Sequence, residues 1–214
     1  AVIEESVESC LKQDYPTEKF TIVVISDHME DSTNERLSLK PIVLIKASYE
    51  NSTKAKALNL AMSKIRDHDI AVVFDADNTV DENFLSAINN SFADEKTFII
   101  QAHRTAKNVN NNMAVLDAIS EESNNSIFRQ GHANLGLSAA LIGSGMAFDY
   151  LMFKNKMLSI NSVGGFDRNL ELSFLKDGKK IEYLSDLYVY DEKVQSQKTF
   201  SNQRKRWLSA QLHY

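Results

Sequence analysis

The chain has 214 residues and a mass of 24.1 kDa, with 43% hydrophobic residues and 24 basic against 29 acidic side chains, a formal charge of -5. This composition excludes a disordered chain, and only seven Gly and two Pro exclude collagen-like or low-complexity sequence and imply long regular elements. The length suits one large or two small domains with a real core. An acidic chain of pI ≈ 5.6 has no basic face to neutralise a run of phosphates, so duplex nucleic acid is not the partner. One cysteine, Cys10, cannot form an internal disulfide and points to a reducing compartment.

The pattern begins with a helix over 1–13, with Ile3, Val7 and Leu11 on one face. It lacks an initiating Met and a signal peptide, so the chain reads as an excerpt from a longer protein. Runs at 20–26, 42–46 and 70–74 are continuous, apolar and rich in β-branched residues, the mark of buried parallel strands. Helical patterns at 53–66, where Ala57, Leu58, Ala61, Met62 and Ile65 form a stripe, and at 81–92, with Asp81 as N-cap, alternate with them. Strand and helix in alternation predict an α/β fold with a mostly parallel central sheet flanked by helices.

The second half is more mixed. It reads as a strand at 97–102, a long polar helix at 110–130, and a strand at 139–148 that contains Gly143 and Gly145. A Gly-Gly-Phe-Asp turn at 164–167 leads into a helix at 169–177, two strands near 181–191 and a last helix at 198–213. No repeat or linker divides the chain, so 1–214 reads as one domain, with 1–102 as its nucleotide-binding half and 103–214 as its acceptor half. No run reaches the ~20 apolar residues of a membrane span; the longest, Leu135 to Phe148, is short and interrupted by Ser and Gly.

In open α/β sheets ligands bind beyond the carboxyl ends of the strands. The first apolar run ends at Asp27-His28 and the third at Asp75-Ala76-Asp77. In an extended segment Asp75 and Asp77 point to the same side, a spacing that suits a divalent cation. Asp67-His68-Asp69 has the same pattern at the wrong end of its strand, so the pattern alone is cheap. Asp75 to Thr79 also fits the phosphoaspartyl (haloacid dehalogenase-like) hydrolase signature, in which the first Asp is a nucleophile. Near the end, Gln203, Arg206 and Trp207 share one helical face: an amide and a guanidinium for phosphate or sugar oxygens, and an indole for a sugar ring.

Together these segments resemble the family 2 glycosyltransferases of GT-A fold, in the Gln-x-x-Arg-Trp branch related to the processive polysaccharide synthases. The matching motifs are Ser26 to Thr33, Lys54-Ala55-Lys56-Ala57-Leu58-Asn59, Asp75-Ala76-Asp77, Gly143 to Phe148, Gly164-Gly165-Phe166-Asp167 and Gln203 to Trp207. The family's first strand has no counterpart here. Its Glu-Asp pair after the Gly-Gly-Phe-Asp turn, with Asp as general base, meets Asn169 in an ungapped match and Glu171 after a two-residue shift.

The resemblance implies an inverting transferase moving a sugar from a nucleotide donor, a UDP-sugar by preference, to a saccharide or lipid-linked acceptor. Asp75 and Asp77 would hold Mg²⁺ or Mn²⁺ on the diphosphate, and Asp27 would contact the base. Lys54 and Arg206 would add positive charge near the phosphates, Gln203 would orient the substrates, and Trp207 would stack on the acceptor. Glu171 is the first choice of general base and Asp167 the second. A third reading is an inactive sugar-nucleotide-binding domain that lost its base at Asn169. The basic Arg204-Lys205-Arg206 cluster implies a parent protein anchored at the cytoplasmic face of the plasma membrane through segments outside this chain.

Overall fold

The computed structural model describes residues 2–160 and 164–211; in the last helix, nothing is described of the side chains of Asn202 and residues 206–211. Helix α1 (Val2–Leu11) leads through a 3-10 turn to strand β1 (Val23–Asp27). Helix α2 (Asp31–Ser38) returns the chain to β2 (Val43–Ala47), which lies parallel to β1, Val23 opposite Val43 and Asp27 opposite Ala47. Helix α3 (Lys54–Lys64) follows, started by Thr53, whose hydroxyl accepts the Lys56 N–H, a cap worth ~1 kcal/mol. Strand β3 (Ile70–Val73), the short β4 (Thr79–Val80) and α4 (Phe84–Phe92) complete the first half.

Strand β5 (Ile99–Ala106) opens the second half and feeds α5 (Asn112–Asn124), capped by the Asn111 side chain. A π-helical stretch, Asn125–Gly131, and a last turn, α6 (His132–Asn134), extend α5. Then come β6 (Met146–Asp149), α7 (Tyr150–Met157), α8 (Phe166–Lys176), β7 (Glu182–Asp191) and α9 (Gln197–Gln211).

The class is the expected α/β, with sheets flanked by helices, but its pairing is mixed. The larger sheet runs β3-β6-β5-β7-β4, parallel only between β5 and β7. Strand β6 sets this pattern: it lies between β3 and β5 and runs antiparallel to both. Ile99, Met146 and Phe148 pack one face against Phe153, Leu170 and Phe174, while Ile100, Ala147 and Val189 pack the other against Phe84 and Ile88. The continuous apolar runs of β1, β2 and β3, expected to be buried strands, are only partly buried here, Val43 of β2 being 39% exposed.

Several boundaries moved for local reasons. The strand expected at 139–148 shrinks to Met146–Asp149 because Gly143 and Gly145 take φ of 83° and 63°, outside the extended region. The two strands expected near 181–191 are the single β7, which bulges between Leu184 and Tyr188, opposite the consecutive Ala102 and His103 of β5. Asp81 does not cap α4; Asn83 holds that position, and the Asp81 carboxylate accepts the Tyr190 hydroxyl at 3.1 Å. Helices α2 and α7 and strand β4 have no counterpart in the expected pattern.

Strand β1, which pairs only with β2, and β3, at the end of the larger sheet, both border one cavity of about 550 Å³. Val24, Ile25, Ala71 and Val72 line it from the strands, and Val7 and Ala61 from α1 and α3.

Candidate active site

The centre of the site is the turn that follows β3. The Asn78 N–H donates to the Asp75 carbonyl at 3.2 Å, so Asp75 to Asn78 is a tight turn and not the extended segment the alternating spacing suggested. Asn78 explains the difference, because its side chain replaces strand partners with a local network. Its Oδ1 accepts the Asp75 N–H at 3.0 Å and the Ser144 hydroxyl; its amide donates to Asp191 at 3.0 Å and Asp77 at 3.3 Å. Asn78 is 1% exposed and Ser144 fully buried, so the carboxylates project from a fixed scaffold.

Lys54, the first residue of α3, reaches this turn. Its ammonium donates to the Asp75 carboxylate and to the Gly143 carbonyl at 2.7 Å, and lies 5.7 Å from the centre of the Phe166 ring. Gly143 also approaches Asp167: a side chain there would begin 3.4 Å from the Asp167 Oδ2, besides being strained by its positive φ. A glycine at this point leaves room for Asp167 on one side while its carbonyl accepts the Lys54 ammonium that also holds Asp75.

Charge and burial tune the carboxylates. Asp77 is held above the ordinary carboxylate range by burial first, then by the neighbouring charges of Asp191 and Asp75. Asp167 is raised as well, again by burial, with its own and Arg168's backbone N–H groups and Lys54 pulling partly the other way. Asp191 is in turn held by Lys193 at 2.8 Å and lies 3.9 Å from Arg104. Asp75 is thus paired with Lys54 and Asp191 with Lys193, and the half-buried Asp77 beside them is the carboxylate whose charge a cation would relieve.

The other expected site residues are distributed differently. Asp27 ends β1 beside His28, whose φ is 56°; the Asp27 Oδ1 is buried without a hydrogen-bond partner, 3.6 Å from the His28 Nε2. Glu171 sits one turn beyond Asp167 on α8 and is 4% exposed. Its carboxylate accepts the Leu141 N–H at 3.0 Å and pairs with Arg168, so both oxygens are engaged in structure. Burial raises its pKa too. Gln203 is half-buried on α9 with Oε1 unpartnered. Arg206 and Trp207 fall on α9, and their side chains lie outside the described residues.

Sequence reasoning missed Asn78, Ser144 and Asp191. Asn78 and Ser144 stood inside noted motifs, whereas Asp191 lies 113 positions from Asn78 and gave no local signal.

A split α/β sheet with a carboxylate turn and a basic helix start at the tip of β3 is the architecture of the GT-A glycosyltransferases. The sequence matches the family described as "Glycosyltransferase like family 2" over residues 1–210, and the chain belongs to that family. It is 26% identical over 220 residues to the β-monoglucosyldiacylglycerol synthases of Trichormus variabilis and a Nostoc species, a match covering 97% of this chain and 45% of each of theirs. It thus spans under half the length of these relatives.

The fold is similar to that of the mannosyltransferase PcManGT from Pyrobaculum calidifontis, solved with GDP-Man and Mn²⁺ (TM-score 0.66, 20% identity, 89% of this chain, 52% of that one). It is also similar to S. aureus TarS solved with UDP-GlcNAc (TM-score 0.59, 19% identity, 93% of this chain, 57% of that one). The chain is therefore a domain of the glycosyltransferase family, which displaces the phosphoaspartyl hydrolase reading of Asp75 to Thr79. No described helix is long and apolar enough to cross a membrane.

Proposed function

We propose that this domain is an inverting transferase that moves a sugar from a nucleoside-diphosphate donor, a UDP-sugar by preference, to a lipid-linked or saccharide acceptor. The observation that carries the reading is the convergence of Lys54, Asp75 and Asp167 round Gly143, with Asp77 in the same turn. A lipid acceptor is favoured by the names of the curated relatives, which act on diacylglycerol lipids. Residues 1–102 supply the donor half and 103–214 the acceptor half of one domain, and a further strand from outside the chain would fit the cavity between β1 and β3.

The residues present suit a divalent cation, Mg²⁺ or Mn²⁺. Asp77 is raised by burial and by its negative neighbours, which a cation would relieve. Among the described residues no three His, Cys, Asp or Glu side chains form a metal cluster, so Asp75 and Asp77 would share the ion with donor phosphates and water. When bound, such an ion neutralises the diphosphate as it leaves, a Lewis-acid effect of several kcal/mol.

The protein's own groups do the rest. Lys54 holds Asp75 in place and adds positive charge beside the phosphates. The Asp27 Oδ1, buried and unpartnered, is an acceptor for a base N–H. Asp167 is better placed than Glu171 to take the acceptor proton, because Glu171 is tied to Leu141 and Arg168. In-line attack with that proton removed gives inversion. Gln203, Arg206 and Trp207 would complete the acceptor side as the Gln-x-x-Arg-Trp branch implies, and the parent protein would work at the cytoplasmic membrane face.

A thermal-shift panel of UDP, GDP and their sugars with and without Mn²⁺ tests the reading. A rise in melting temperature that needs both nucleotide and metal, and that Asp77→Ala abolishes, is expected. A chain indifferent to every nucleotide would overturn it.

A further inference from the structure

Helix α5 and its π-helical extension are built inside out. The positions turned inward, Asp117, Glu121, Asn125 and Arg129, are between 2% and 8% exposed. They form an ionic layer against β5 and β7: Glu121 pairs with Arg104 at 2.6 Å, Arg129 donates to Asn125 at 2.6 Å, and the Asn125 amide donates to the Arg104 carbonyl at 2.9 Å. Most of the positions turned outward are apolar, with Ser123 and Ser126 as polar ones among them. Leu116 is 55% exposed, Ile119 58%, Ile127 59% and Phe128 49%, and Leu135 and Leu137 continue the ridge at 76% and 53%. A groove of about 570 Å³ runs along this face, lined by Val109, Val115, Ala118, Ile119 and Ile127, with Glu122, Ser123 and Ser126 as its polar members.

A helix of a water-soluble surface carries the reverse pattern. Six large apolar side chains exposed along one face mark a surface with an apolar partner. The neighbouring helix says which. Helix α9 docks on α5 through Arg204 and Asp117 at 3.0 Å. In a chain of net charge -5, α9 carries Lys198, Arg204, Lys205 and Arg206 and no acid, and Lys198 and Lys205 are exposed. Exposed aliphatic side chains on one helix and exposed lysines on the helix docked against it are a combination that seats in the interface of an anionic bilayer, apolar groups below the headgroups and ammonium groups among them.

We propose that the outer face of α5, its π-helical extension and α6, together with α9, is a membrane-interface surface on which this domain itself rests. The inference deepens the lipid-acceptor reading above: it would hold the catalytic groups at the level where a lipid headgroup is presented.

The test uses single-site labelling in a Cys10→Ser background, because the one native thiol, though burial raises it to about 11, is only partly buried. Ile119→Cys and Ile127→Cys would carry an environment-sensitive fluorophore, with Ser63→Cys, exposed on α3, as the reference. With vesicles of phosphatidylcholine and phosphatidylglycerol, both ridge labels should brighten, shift to the blue and be quenched by brominated acyl chains, while the reference label does not change. The same quenching should appear with the full-length protein in its membrane. Lys198→Gln and Lys205→Gln should each weaken vesicle binding about fivefold. Leu116→Ser with Ile119→Ser should abolish it without lowering the melting temperature.

Ridge labels indifferent to vesicles overturn the proposal. So does a concentration-dependent dimer that Leu116→Ser dissolves, or a ridge label in the full-length protein that is shielded yet unquenched by brominated lipid, since each means that protein covers the face. Metal-dependent stabilisation by nucleotide is measured separately, so loss of vesicle binding with that response intact defeats this inference alone.

Discussion

Replacing Asn78 by Ala removes the centre of the carboxylate turn, and the structure sets the size of the effect. The side chain makes neutral bonds to the Asp75 N–H and the Ser144 hydroxyl and a charge-assisted bond to Asp191. Neutral bonds contribute about 1 kcal/mol each and one to a charged partner about 1.5–3 kcal/mol. Some of this is retained, because the Asp75 N–H still reaches the Ser144 Oγ at 3.2 Å and Asp191 still has Lys193 at 2.8 Å. The net loss is then about 3 kcal/mol, or a fall of about 6–12 °C in melting temperature for a domain of this size.

Asn78→Asp is expected to be worse than Asn78→Ala, since it sets a third negative charge against Asp77 and Asp191. The assay is thermal denaturation of the variants, followed by donor titration with Mn²⁺ below the lowered transition. Both variants should lose metal-dependent donor stabilisation while keeping native circular dichroism. If Asn78→Ala melts within about 2 °C of the parent and binds donor normally, the turn is held by something else and the reasoning fails.

Asp167→Asn should lower kcat by about 10² to 10⁴ with the melting temperature preserved, whereas Glu171→Gln should cost stability and leave most turnover; the opposite pattern of rates would make Glu171 the base. Since burial raises Asp167, the acidic limb of kcat/KM should lie above the ordinary Asp value of 3.8 and disappear in Asp167→Asn, as a pH–rate profile would show. For Asp77, also raised, protons bind the folded state more tightly than the unfolded one. Its contribution to stability is therefore full below 3.8 and lost as pH rises through the elevated value. Mn²⁺ with donor should accordingly raise the melting temperature more at neutral pH than in the carboxylate range, a comparison calorimetry can make. Phe148→Ala, which removes a fully buried ring stacked 4.5 Å from Phe153, should cost about 3–5 kcal/mol in chemical denaturation.

The elements legible in the sequence were those whose local signal and tertiary role agree. Strands β1, β2 and β3 showed as β-branched runs, and α3 as an apolar stripe, because packing against neighbouring elements demands those residues wherever the elements end up. Asp75 and Asp77 were visible because carboxylates at the end of an apolar run are conspicuous, whereas Lys54 and Asp167 were visible only through the motifs of the resembling family. Helix α5 was legible as a helix, but which of its faces turned inward was not, since ionic layers and apolar cores both obey the helical period.

Sequence alone determined that this is an α/β chain with a carboxylate pair after its third strand, because alternation of hydrophobic runs and the chemistry of single side chains are local properties. Tertiary structure decided that the pair sits on a turn and not a strand, that Asp191 stands behind it, that Glu171 is bound up in structure while Asp167 borders Gly143, and that α5 shows its aliphatic side outward. Each of these depends on contacts between residues tens of positions apart, and the free energy of a hydrogen bond or a buried charge is set by the partner it meets in space.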